Sequence, residues 1–158
     1  RQLAEQVVGE FTADVSASEH KALQLSLDVA YQADLAQERV LVDEAITAAK
    51  KGAQGVIGMA DTVYALHQGR VRQLLLAANF HGSANVCNNC GSVSVEQPAS
   101  SEATRFECPF CGQREMHPVA DVANAALRKA VETGAAVNII RDSAALDAVG
   151  GMAAILRY

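Results

Sequence analysis

The chain has 158 residues, half of them apolar and one fifth charged, with a formal net charge of −5. That is enough apolar material for one proper core, and it excludes wholesale binding to nucleic-acid backbone, which needs a clustered cationic face. No apolar run approaches the ~20 residues that span a bilayer, so the sequence reads as a cytoplasmic chain with no membrane contact.

Residues 1–15 carry Leu3, Val7, Val8, Phe11 and Val15 and fit neither a helix nor an extended arm decisively. The opening at Arg1, inside an element already under way, reads as an excised domain, with the parent's chemistry upstream. Ser16 with Glu19 has capping-box spacing, so a helix is expected to start there and run to Lys51, with a weak point near residue 34 or 38. Its inward stripe is read as Leu23, Leu27, Tyr31 and Leu35, continued by Leu41, Ala45, Ile46 and Ala49. Gly52 ends it. Gly55 to Gly58 reads as a buried strand, Asp61 as the cap of a helix through Val63, Leu66 and His67, and Val71 to Ala77 as a central strand. Further on, a helix is expected over Val119 to Thr133 with Val122, Ala126 and Ala130 inward, then a strand over Ala136 to Ile140. The Gly150-Gly151 pair turns the chain into a last strand from Ala153. Alternating strands and helices predict a three-layer α/β/α sandwich in a single domain over 1–158.

The four cysteines stand as C-x2-C-x17-C-x2-C: Cys87 and Cys90, then Cys108 and Cys111. Two such knuckles can bring four thiolates onto one tetrahedral Zn²⁺, and a glycine follows each second cysteine, at Gly91 and Gly112. Disulfides or a redox pair are the alternative; paired C-x-x-C units without a secretory leader favour reduced thiols. A zinc with four protein ligands keeps no position for water, so the metal is expected to be structural. The insertion, about 82–117, is polar between its knuckles, and without metal Ser92 to Arg105 is expected to lose order while the sandwich stays folded.

No catalytic arrangement emerges. His20, His67, His81 and His117 are scattered, although His81 and His117 flank the knuckles and offer substitute ligands. Gly150-Gly151 lacks the lysine and the spacing of a phosphate-binding loop.

Three runs together resemble one family. Gly58 to Val71, G-M-A-D-T-V-Y-A-L-H-Q-G-R-V, is similar to the G-x-x-x-T-x-x-A-L-x-x-G-A/R-V segment in the third domain of archaeal and eukaryotic class I peptide chain release factors. Gly150 to Tyr158, G-G-M-A-A-I-L-R-Y, resembles that domain's G-G-I-G-G-I-L-R-Y close, and the paired knuckles resemble the zinc-bound minidomain of archaeal members. Pelota-type rescue factors share the domain more remotely. The resemblance implies a mixed sheet like that of kink-turn-binding ribosomal proteins, one structural zinc, and docking to a translational GTPase and the ribosome. Peptidyl-tRNA hydrolysis would belong to a preceding GGQ domain, and no GGQ occurs here. Ala153-Ala154 depart from the family's glycines, and the alanine-rich acidic composition suits a bacterial relative. For the partner surface the candidates are Gly150, Gly151, Leu35 and Val42. A kink-turn-type RNA-binding module is the alternative, and with only Arg70, Arg141 and Arg157 near the relevant loops such binding should be weak.

Overall fold

The computed structural model describes residues 7–95 and 107–158. It divides into two compact units, residues 1–41 and 42–158, with the division inside the first helix.

In the first unit, residues 7–15 form neither helix nor strand, and helix α1, Glu19–Lys50, begins after Ser18. Ser18, not Ser16, is the cap: its hydroxyl accepts from the Lys21 amide at 3.3 Å, while Ser16 bonds back to Asp14. The helix runs unbroken past residues 34 and 38. The first three residues of its expected inward stripe are exposed, Leu23 at 56%, Leu27 at 58% and Tyr31 at 45%, whereas Leu35, Leu41 and Ala49 are half-buried and Ala45 and Ile46 buried as expected. In the first turns the apolar half-buried residues are Ala22, Leu25, Val29 and Ala33, spaced three and four apart, and the backbone at Gly9 lies against Val29. Apolar residues occur on more than one face of this helix, which is why its first half could not be assigned an inward stripe from periodicity alone.

In the second unit the last turns of α1 bury Val42, Ala45 and Ile46. They are followed by β1 (Gly55–Ile57), α2 (Met59–His67) and β2 (Val71–Ala77). Next come β3 (Ala84–Cys87), β4 (Val93–Ser94), β5 (Met116–Val119), α3 (Val122–Glu132), β6 (Ala136–Ile140), α4 (Ala144–Ala148) and β7 (Met152–Leu156). The main sheet has the order β1-β7-β2-β6, with β2 and β6 parallel and β7 antiparallel to both β1 and β2. Along β2 and β7 alternate side chains are buried on opposite faces. Val71, Leu74, Leu76, Met152, Ala154 and Leu156 share one core with Val63 and Leu66 of α2 and Val122, Ala126 and Ala130 of α3. Leu75, Ala153 and Ile155 are buried on the other face, where α4 meets β7 and the end of α1 lies on the backbone of Gly55. The result is the α/β/α arrangement on a mixed sheet that the alternation of elements predicts.

Several local expectations are corrected. Gly58, not Asp61, occupies the cap of α2, so this helix has no side-chain cap and starts three residues earlier, at Met59. Asp121 caps α3 by accepting from the Asn124 amide, which moves its start from Val119, a strand residue, to Val122. Helix α4 was not expected; Ser143 starts it by accepting from the Leu146 amide.

The insertion forms a second sheet, β4-β3-β5, all antiparallel. It is no polar appendage. Ala84 and Val93 belong to the same core as α2 and α3, and Val86, Val95 and Val119 pack against it.

Candidate metal centre

The two knuckles repeat one backbone pattern. Gly91 donates its amide to the Cys87 carbonyl and Cys87 donates to Ser92, both at 2.9 Å; Gly112 donates to Cys108 at 2.9 Å and Cys108 to Gln113 at 2.8 Å. The fifth residue of each turn must take a left-handed conformation, and Gly91 (φ 66) and Gly112 (φ 70) do so without steric cost. This turns the amides of Asn89 and Cys90 toward the Cys87 sulfur, and those of Phe110 and Cys111 toward Cys108.

All four Sγ atoms lie within 4.8 Å of one another, with Cys87–Cys111 and Cys90–Cys108 each at 3.6 Å. A disulfide needs about 2.05 Å, so these are separate thiols. Four sulfurs at about 2.3 Å from a common metal would stand about 3.8 Å apart, close to the spacing found. The sites of Cys87 and Cys108 are buried, those of Cys90 and Cys111 half-buried.

Protonation reflects the same crowding. Burial pushes the Cys87 thiol up to about 11 against the amides of Cys90 and Asn89. Burial also acts on Cys108, but the Ser92 hydroxyl and then the amides of Phe110 and Cys111 outweigh it and hold the thiol down at about 6. The Gln113 amide, followed by the Asn89 side chain, lowers Cys111. Four sulfurs at this range set one thiolate against the next, and a divalent cation removes that conflict, so the donor set fits a metal ion.

Ser92 was not singled out by the sequence reading. Its hydroxyl is 2.9 Å from the Cys108 sulfur and 3.3 Å from that of Cys90, and the residue is 1% exposed. Its only signal in the sequence is a small hydroxyl residue after C-x-x-C-G. Phe110 ties the second knuckle to α2, its ring centroid 3.8 Å from that of His67 and 5.2 Å from that of Tyr64.

The other nominated residues are spread out. Neither His81 nor His117 belongs to the cysteine group. Of the partner-surface candidates, Val42 is 1% exposed and offers no surface, and Gly151 is buried against the Phe80 ring. Gly150 is exposed and Leu35 half-buried.

A mixed α/β domain carrying a ribbon with four convergent cysteines is thus the class of protein defined by fold and site. No protein-family model matches the sequence, and no curated protein matches it. Among solved structures, the chain is similar to the C-terminal domain of a peptide chain release factor from Methanosarcina mazei, with TM-score 0.55 and 21% identity over 91% of this chain and 98% of that one. It is similar also to the Archaeoglobus fulgidus Pelota protein, with TM-score 0.55 and 18% identity over 92% of this chain and 39% of that one. A third likeness is to S. cerevisiae Dom34, described as a translation termination-like factor interacting with Hbs1, with TM-score 0.51 and 16% identity over 89% of this chain and 34% of that one. The chain shares its fold with that release-factor C-terminal domain, and it spans about two fifths of the Pelota chain. Among the described residues no helix is long and apolar enough to cross a membrane.

Proposed function

We propose that residues 1–158 are the protein-docking domain of a release-factor-like translation termination or ribosome rescue protein, holding a translational GTPase and the ribosome in the cytoplasm. One observation carries the reading: the likeness in fold to a release-factor C-terminal domain extends over nearly the whole of both chains. The metal is a single structural Zn²⁺ on Cys87, Cys90, Cys108 and Cys111, within an insertion of about 82–117, because a soft four-sulfur set of tetrahedral spacing suits zinc. A metal held by four protein ligands keeps no open position to activate water, so we read this domain as the docking module and not the hydrolytic one.

The test is a paired titration of the zinc-loaded chain against a purified translational GTPase bound to a GTP analogue and against kink-turn RNA at physiological salt. Saturable binding to the GTPase with weak RNA binding is expected. Submicromolar, sequence-dependent RNA binding without GTPase binding would overturn the reading in favour of an RNA-binding module.

A further inference from the structure

Among the described residues the two sheets have four edge strands, and three of them are blunted. β1 has three residues, one of them Gly55, and β4 has two. β5 contains Pro118, which has no amide to donate. The fourth, β6, is different: Ala136-Val137-Asn138-Ile139-Ile140 is five residues long, uncharged and without proline, and it pairs only with β2. No strand lies along its outer side among the described residues. Ile139, in register with Leu76 and so on the same face of the sheet, is 45% exposed. Natural sheets ordinarily protect such an edge with a lysine, a proline or a bulge, since its outward amides and carbonyls form a template for another strand.

We propose that β6 is the edge onto which an extended, uncharged, β-branched segment of a partner protein adds as a further strand, with Ile139 as its side-chain anchor. Backbone hydrogen bonds would supply the affinity and the alternate side chains the specificity. A second copy of this chain is the weaker occupant on two counts. Five residues of edge bury far less than the roughly 1,200 Å² at which stable pairs begin. Two chains of net charge −5 also repel. The inference rests on the docking reading above and says how a partner would be held.

The experiment follows backbone amide exchange in the 158-residue, zinc-loaded chain by NMR, with and without the capped peptide acetyl-Thr-Val-Thr-Val-Thr-amide at millimolar concentration. Slower exchange is expected at alternate residues of 136–140, lost with an N-methylated peptide that cannot donate. Ile139→Lys should weaken the effect about tenfold, and Ile139→Thr, which keeps a β-branched side chain, should retain it. Unchanged exchange in 136–140 would overturn the inference, as would protection that rises with protein concentration in the absence of peptide, the mark of a second copy. If the GTPase titration succeeds while β6 stays unprotected, the docking reading stands and this inference alone fails.

Discussion

Arg157 holds three carbonyls at once: Nε donates to Val71 at 3.0 Å, and Nη2 donates to Thr133 at 2.7 Å and Gly134 at 3.0 Å. It thereby joins the start of β2 to the C-terminal end of α3, where a cation also complements the helix dipole. Replacing it with Met should cost about 2 kcal/mol in urea unfolding with an unchanged m-value. Lysine, lacking the planar fork, should recover only part of that. A loss within error would mean that water serves those carbonyls as well. His67 makes a second testable case, since its Nδ1 is buried without a partner and burial, then the Lys129 charge, lowers its pKa. The folded state therefore resists protonation. Its contribution is complete above the unfolded value of about 6.5 and is lost as pH falls below it toward the lower folded value. His67→Leu should flatten the stability profile below pH ~6.5, as read by thermal melts across pH; an unchanged acid slope would rule His67 out as its source.

At the scale of elements, the ribbon decides whether the metal is local or global in effect. Because Ala84 and Val93 lie in the main core and Phe110 stacks near Tyr64 and His67, losing the metal should loosen α2 and α3 as well as the knuckles. Chelation, or Cys108→Ser, is expected to lower the single unfolding transition of residues 42–158. A sandwich melting at the same temperature with and without metal would restore the picture of an independent appendage. The knuckles were legible because C-x-x-C-G fixes a turn through covalent spacing and one glycine. Strand β2 was legible because a buried strand reads as a short apolar run between turn residues; β1 and β6 showed the same runs, although both are edge strands and half-buried or exposed along most of their length. The ribbon's place in the core was not, since Val86, Val93, Val95 and Val119 are isolated valines whose burial is settled by contacts distant in sequence. The first half of the α1 stripe, Leu23, Leu27 and Tyr31, was misread for a related reason: apolar residues there occupy two faces, whereas Ala45 and Ile46 at its other end are buried as read. The expected loss of order over Ser92 to Arg105 meets β4 at Val93–Ser94, while its part beyond Val95 lies outside the described residues.

For the whole molecule, charge governs what can be bound. A net charge of −5 leaves few cations to release counterions from phosphates, so any RNA binding should be weak and should fall steeply between 50 and 200 mM salt. Binding to a protein through backbone pairing and apolar contacts should hardly respond over that range. Parallel titrations at the two salt concentrations separate these cases, and a salt-insensitive, tight RNA complex would contradict the charge argument.

The knuckles also have a topological consequence. A metal gripping residues 87–90 and 108–111 closes a ring through the 17 residues between Cys90 and Cys108, much as a covalent crosslink would. Ring closure becomes only slowly more costly with length, about 0.6 kcal/mol for each doubling. A Gly/Ser stretch of equal length inserted between Ala99 and Ser100 should therefore leave metal content unchanged by elemental analysis and lower stability by roughly that amount. The ribbon would then be a place where this fold can take on new sequence at almost no thermodynamic cost.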